Sequence, residues 1–203
     1  MSKYTKLLRD TVKALGVASE KRDPYTAGHQ SRVSLLATEI AKRMGVDRAI
    51  AEGIRMASLL HDIGKIGVPS EILTKPGRLT DAEFTIVKDH SRLGHEIIKD
   101  IDFPWPVADI VIDHHELLDG SGYPSGKKGK QIAMETRIVT IADIVDAMTS
   151  HRPYHPARTK EIVVNELKRR RKTQFDKGAV DACLGLLNGG FEFPVRVEAW
   201  MYK

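Results

Sequence analysis

Histidines and aspartates in short clusters, kept far apart along the chain, constrain the fold more than any other feature. Imidazole nitrogens and carboxylate oxygens are ligands that Fe, Mn and Zn accept, and a carboxylate can bridge two ions held close together. If the clusters serve one site, the fold must bring together residues as far apart as 29 and 143. The sequence therefore predicts a metal site of a hydrolytic kind, with candidate ligands in the clusters His29, His61-Asp62, His90, His114-His115 and Asp143.

Hydrophobic periodicity predicts helix along nearly the whole chain, and no segment of useful length alternates like a strand. We therefore predict an all-α protein, a single compact helical bundle. Residues 1–22 are expected to form an N-terminal helix that could link to a sensor domain, residues 23–190 the main domain, and residues 191–203 a tail. The predicted helices that carry candidate ligands are 49–63, with His61 and Asp62 in its last turn; one starting at the capping box Thr80–Glu83, with His90 near its middle; 107–118, with His114 and His115 toward its end; and 134–149, with Asp143.

The bulk composition fits one domain with a buried core. The chain has 203 residues, of which 41% are hydrophobic and 29% charged. No apolar run approaches the roughly 20 residues of a membrane span, and charges occupy the N-terminus where a signal peptide needs an apolar core. The lone Cys183 fits a reducing, cytoplasmic location and cannot build a thiolate metal site, so any metal must use nitrogen and oxygen ligands.

The net charge of +5 allows an anionic partner without requiring one. The densest basic run, 168–172, follows a helical pattern and is interpreted as a solvated helix end, where cations suit the helix dipole. Neither interleaved aromatic residues nor a known binding motif accompanies this run, so DNA is not an expected partner.

Each cluster is weak evidence alone, since polar pairs are common at surfaces and a lysine such as Lys65 is usually solvated. Asp143 is more informative, because its helix is almost wholly apolar and a carboxylate there faces the core or a cavity. Buried carboxylates are usually paired or metal-bound. One turn later, Asp146 is expected to accept a hydrogen bond behind the ligands or to stabilise its helix. Arg32 shares a helix face with His29 and is expected to form a structural ion pair.

Several segments together form a pattern far more specific than its parts. They are Asp-Pro-Tyr-Thr-Ala-Gly-His at 23–29, continuing to Val33; Leu-Leu-His-Asp-Ile-Gly-Lys-Ile-Gly-Val-Pro at 59–69; 72–79; Lys-Asp-His at 88–90; His-His-Glu at 114–116; Asp-Gly-Ser-Gly-Tyr-Pro at 119–124; and 137–154. From about residue 20 to residue 180, this pattern resembles the HD-GYP domains, a branch of the HD phosphohydrolases.

The resemblance implies a bacterial phosphodiesterase that linearises cyclic di-GMP with two or three metal ions, usually iron and in some members manganese. Members of the three-metal type carry a glutamate four residues before the first ligand histidine; Tyr25 stands there in this chain, so two metals are expected. His95, His151 and His155 stay outside the ligand set. By position, the implied ligands are His29, His61, Asp62, His90, His114, His115 and Asp143, with Asp62 bridging.

The resemblance also implies catalytic and substrate-binding residues. Lys65 and Asp62 are the expected catalytic pair, with Lys65 stabilising the charged phosphate oxygens or assisting the leaving 3′ oxygen. Some members have a lysine where this chain has His155, which leaves that substrate contact open. The expected substrate-binding residues are Arg152, Tyr123 and Gly122.

The leading hypothesis is hydrolysis of cyclic di-GMP to linear pGpG, and in some family members on to GMP. One alternative keeps the chemistry and changes the substrate to cyclic GMP-AMP or another nucleotide. Another is a signalling module without turnover that binds a diguanylate cyclase or other signalling protein through the Gly-Tyr-Pro loop. The sequence leaves the oligomeric state and the metal identity open.

Overall fold

A computed structural model describes residues 3–23, 27–150 and 157–193. Within these residues the predicted all-α fold is confirmed, because no β-strand forms and one isolated bridge joins Arg171 and Phe175. Short 3-10 helices span Ile63–Gly67 and Gly129–Gln131. The α-helices are α1 (Lys3–Glu20), α2 (His29–Arg43), α3 (Arg48–Leu60), α4 (Ser70–Leu73), α5 (Asp81–Lys88), α6 (His90–Ile98), α7 (Val107–Asp113), α8 (Met134–Thr149), α9 (Lys160–Arg170) and α10 (Lys177–Asn188).

Helix α2 lies at the centre of the core, where it packs against α3 and α8. Leu36, Ile54 and Ile138 are among the side chains that this packing buries completely. Burying each such side chain contributes about 1.5–3 kcal/mol. The core therefore fixes the three helices that lead to His29, His61 and Asp143.

Helix α8 spans residues 134–149, as predicted, but three predicted helix boundaries are wrong. Helix α3 ends at Leu60 rather than at residue 63, and α7 ends at Asp113 rather than at residue 118. The helix starting after Thr80 ends at Lys88, so His90 is the first residue of α6 and not the middle of a helix. In each case a candidate ligand lies at a helix end, where its ring reaches a carbonyl group that the helix leaves free.

The 3-10 helix after α3 packs closely against α6, and this contact requires a glycine. A Cβ atom at Gly64 would lie 1.9 Å from the carbonyl oxygen of His90 and 2.4 Å from the backbone nitrogen of Gly94. Side chains at position 64 would therefore push α6 away from the turn that carries His61 and Asp62.

The basic run 168–172 follows its predicted placement only in part. Lys168 and Arg169 are exposed at the C-terminal end of α9, as a solvated helix end requires. Arg170 instead folds over an aromatic ring, with its Cζ atom 4.1 Å from the centroid of Phe175.

In the described part of the chain, no helix is long and apolar enough to cross a membrane. The cytoplasmic location and the domain boundaries at residues 22 and 190 stay predictions.

Candidate metal centre

The fold brings all seven predicted ligands to one place. His29 begins α2, His61 and Asp62 connect α3 to the 3-10 helix, and His90 begins α6. The remaining three follow α7 or lie within α8. Three groups of side chains have ligand atoms that all lie within 4.8 Å of one another, namely His29–His61–Asp143, His61–Asp62–His114 and His90–His114–His115.

Three of these imidazoles are oriented by the same local contact. His61 Nδ1 lies 2.7 Å from the carbonyl oxygen of Ser58, three residues earlier, and His90 and His114 repeat the contact with their own i−3 carbonyls at 2.7 and 2.6 Å. The last carbonyls of a helix lack intrahelical donors, so each ring satisfies one of them. A carbonyl can only accept, so Nδ1 carries the proton and Nε2 keeps a lone pair.

The Nε2 atoms of the ligand histidines point at each other. His90 Nε2 lies 3.3 Å from His114 Nε2 with no donor between the two lone pairs. His29 Nε2, which hydrogen-bonds to Asp143, lies 3.2 Å from the bare Nε2 atom of His61. Converging lone pairs repel unless a cation lies among them. Because every donor in this set is an imidazole nitrogen or a carboxylate oxygen, the residues fit a divalent metal.

Asp62 lies between the two histidine groups. Its Oδ2 atom is 3.6 Å from His29 Nε2 and 3.5 Å from His61 Nε2, while Oδ1 is 3.4 Å from His90 Nε2. One oxygen therefore faces each group, as a bridging carboxylate requires.

Asp143 completes the group at α2. Its Oδ1 atom is 3.3 Å from His29 Nε2 and 3.8 Å from His61 Nε2, and its Oδ2 atom is 4.0 Å from His115 Nδ1. This carboxylate is buried in the apolar helix α8, as the sequence predicts.

The protonation states suit metal ligation. Burial raises the pKa of Asp62, but the charges of Lys65, His61 and other neighbours outweigh it and hold that pKa well below the usual value. Burial likewise opposes ionisation of Asp143, and its hydrogen bond to His29 prevails, so its pKa is also well below normal.

Burial lowers the pKa of His114 well below its usual value and, with the His90 charge, lowers the pKa of His115 to about 3. Ionised carboxylates and neutral imidazoles are the forms that bind metals.

His29 differs, because a carboxylate lies behind it. Its Nδ1 atom is 2.6 Å from Asp146 Oδ2, and Arg32 Nε donates to the other oxygen of Asp146 at 2.6 Å. Burial lowers the pKa of His29, but its hydrogen bonds to Asp143 and Asp146 outweigh that effect and raise it to about 9. The expected roles of Asp146 as an acceptor and of Arg32 as its ion-pair partner match these contacts.

Lys65 lies at the edge of the cluster. Its ammonium group donates to Asp62 Oδ2 at 2.7 Å and lies 3.8 Å from Asp23 Oδ2. The side chain is 13% exposed, so it is largely buried against the cluster. This position suits a cation that acts on a bound anion.

The Gly-Tyr-Pro loop closes one side of the cluster. The Tyr123 ring stacks on His115 with centroids 4.6 Å apart. At Gly122, a Cβ atom would lie 2.4 Å from the carbonyl oxygen of His115, so this position contacts the backbone rather than offering a side chain to a ligand.

Sequence reasoning gave no role to Glu116, which anchors this loop. Its buried carboxylate accepts hydrogen bonds from the backbone N–H groups of Ser125, Gly126 and Lys127 at 2.6, 3.1 and 3.0 Å. An acidic residue just before a glycine-rich loop is the pattern that could have identified it. Tyr25, Arg152, His151 and His155 lie outside the described residues, so their predicted roles stay predictions.

Comparisons with known proteins place this site in a family. A family model described as an HD domain matches residues 16–178. The cyclic di-GMP phosphodiesterase response regulator RpfG of Xanthomonas campestris is 40% identical over 178 residues, which are 87% of this chain and 47% of that protein. The 3′3′-cGAMP-specific phosphodiesterase 3 of Vibrio cholerae is 42% identical over 146 residues, covering 72% and 32% of the two chains. The solved structure of Bd1817, an HDG"Y"P protein from Bdellovibrio bacteriovorus, shares the fold with a TM-score of 0.66 at 20% identity over 79% of this chain and 52% of that one.

The helical fold and the histidine–aspartate cluster define an HD domain, and this chain belongs to that family. Its recognition as a domain of the HD-GYP type is confirmed by the same comparisons. The chain spans about half the length, or less, of these curated relatives.

Proposed function

We propose that this chain is a metal-dependent phosphodiesterase that opens cyclic di-GMP to linear pGpG. The convergence of imidazole nitrogens and ionised carboxylates on one small volume carries the proposal, because such a donor set suits divalent metal ions. The relatives named as cyclic di-GMP phosphodiesterases support the choice of substrate. Iron is the proposed metal, with manganese as the alternative.

The proposed ligands divide into two sets that share Asp62. His29, His61 and Asp143 would hold one ion, and His90, His114 and His115 the other. When bound, such ions supply Lewis acidity toward phosphate oxygens and make water a better nucleophile near neutral pH. The carbonyl or carboxylate partners at Nδ1 of His29, His61, His90 and His114 hold these four rings in place, so binding requires little reorganisation.

Lys65 is the proposed general acid of this site. In-line attack on phosphorus builds negative charge on the phosphate oxygens and on the leaving 3′ oxygen. The Lys65 ammonium lies against Asp62 at the cluster, where it would stabilise this charge and donate a proton from Nζ to the 3′ oxygen. Arg152 and Tyr123 are the proposed substrate-side residues.

Cyclic GMP-AMP is a second candidate substrate, because the relative that is 42% identical is named for it. A signalling module without turnover is disfavoured by the intact ligand set. Contact of the Gly-Tyr-Pro loop with a signalling partner stays a prediction.

The test is product analysis on metal-replete protein purified without oxygen. We expect wild-type protein to convert cyclic di-GMP to pGpG, and Asp62→Asn to lose at least a thousandfold in rate because it removes the shared carboxylate charge. Asp109→Asn, at an exposed position of α7, is the matched control and should retain full activity. An active Asp62→Asn variant would contradict the assignment of this residue.

A further inference from the structure

A cavity of about 330 Å³ opens beside the candidate metal centre. The stacked pair His115 and Tyr123 forms the wall shared with the centre. Helix α5 contributes a second wall, and α8 and α9 contribute the opposite one. Its lining includes Phe84, Lys88, His115, Tyr123, Ile144 and Arg170.

The wall at α5 combines exposed aromatic surface with a cation. Lys88 Nζ lies 5.0 Å from the ring centroid of Phe84 and 5.8 Å from that of Tyr123. Phe84 is 47% exposed, so its ring is accessible to a ligand in the cavity. Among the described residues, Lys88 forms no ion pair with a carboxylate within 4.0 Å. This wall therefore offers a planar ligand a stacking surface together with an ammonium group that can donate.

The opposite wall holds a guanidinium group in a fixed position. Arg170 lies over the Phe175 ring, hydrogen-bonds to Gln174, and has Nη1 3.7 Å from Glu166 Oε1. These contacts leave it 20% exposed at the cavity, and Arg170 also lines a separate cavity of about 370 Å³. A guanidinium braced in this way loses little conformational freedom when it binds a ligand.

Two hydroxyl groups on the wall already donate their hydrogens within the protein. Thr140 Oγ1 donates to the carbonyl oxygen of His114 at 2.7 Å, and Ser121 Oγ donates to Asp119 at 2.6 Å. The charged groups on the wall, Lys88 and Arg170, are hydrogen-bond donors without acceptor capacity. A base whose edge presents acceptors matches them, and a base that presents an amino group does not.

We propose that this cavity is a guanine subsite, and that Lys88 and Arg170 select guanine over adenine. Guanine offers O6 and N7 as adjacent acceptors, whereas adenine replaces O6 with an N–H donor. The cavity has the volume for one nucleoside rather than for a whole cyclic dinucleotide. Both cyclic di-GMP and cyclic GMP-AMP carry a guanine that it can take. The subsite rests on the proposed function for its connection to catalysis, because it positions the base of a substrate whose phosphodiester reaches the cluster.

Equilibrium binding of GMP and AMP, measured by calorimetry, tests this subsite without turnover. We expect wild-type protein to bind GMP at least about tenfold more tightly than AMP, since one good contact of this kind discriminates by that factor or more. Lys88→Met and Arg170→Lys should each reduce the preference about tenfold. Arg170→Lys keeps the charge and most of the packing, so it guards against misfolding. Lys168→Met, at an exposed position of the same helix α9, is the control and should keep the preference.

Hydrolysis of cyclic di-GMP is measured on the same proteins, so that failure of the guanine subsite can be distinguished from failure of the proposed function. Equal binding of GMP and AMP by wild-type protein, or an undiminished preference in both variants, overturns the guanine subsite even when hydrolysis proceeds. If wild-type protein prefers GMP and the variants lose this preference, the subsite is supported. If the same wild-type protein hydrolyses no cyclic dinucleotide, the proposed function is overturned.

Discussion

At the scale of single residues, the site depends on which nitrogen of each histidine is occupied. His61, His90 and His114 each use Nδ1 on a backbone carbonyl, and His29 uses it on Asp146. The second nitrogen of every ring is thereby aimed into one small volume. The ligand geometry is therefore a property of the acceptors behind the rings as much as of the rings themselves.

Asp146→Asn tests this dependence. The amide keeps the size of the side chain but loses the charge that orients His29 and pairs with Arg32. Removing such a partner typically lowers metal affinity by 10- to 100-fold. Competition with a chelator, followed by metal analysis, measures the change against the exposed Asp109→Asn control. Unchanged affinity would show that Asp146 does not orient the ligand.

At the scale of elements, helix ends carry the site. The periodicity of the sequence predicted that helices exist, and predicted α8 to the residue, because side-chain burial alone decides those features. It placed His61, His90 and His114 inside helices because the apolar pattern continues past each of them. Each of these rings contacts the i−3 carbonyl near a helix end, and hydrophobic periodicity does not register this contact.

The candidate ligands were predictable for a different reason. Their residue types and order matched a known pattern, and the fold then brought all seven together. The cavity cations Lys88 and Arg170 could not be found in this way, since Arg170 looks like one member of a solvated basic run. Its packing over Phe175 depends on a contact between α9 and the turn that follows it.

Gly64→Ala tests the contact between the 3-10 helix and α6. The added Cβ atom would overlap the His90 carbonyl oxygen, so one of the two segments must move. We expect a loss of about 3 kcal/mol or more in the free energy of unfolding, measured by denaturant titration, together with weaker metal binding. Gly178→Ala is the matched control within α10, where the nearest atom to an added Cβ lies 3.3 Å away and no backbone atom of another segment is close. Equal stability of the two variants would contradict the close packing at Gly64.

At the scale of the whole molecule, one core supports the site from several sides. Helices α2, α3 and α8 share buried surface, so the ligands they carry depend on the same packing. The thiol of Cys183, on α10, is buried in this core, and burial raises its pKa to about 12. The reactivity of the Cys183 thiol therefore reports on global unfolding of the core.

Labelling of Cys183 measures that unfolding. With a pKa near 12, roughly one thiol in ten thousand is ionised at pH 8, and burial blocks access to it as well. We expect a disulfide reagent to modify the native protein only at the rate at which it unfolds, and to react at once in denaturant. Rapid labelling of the native protein would show that α10 opens without the rest of the core.

The number of metal ions bound by wild-type protein purified without oxygen decides whether the site is a two-metal centre. We expect two equivalents of metal per chain, iron in preference to manganese. Asp62→Asn, which alters the shared carboxylate, should weaken the binding of both equivalents, while Asp109→Asn should retain both. A single equivalent in the wild-type protein, or two tightly bound equivalents in Asp62→Asn, would contradict a two-metal centre bridged by Asp62.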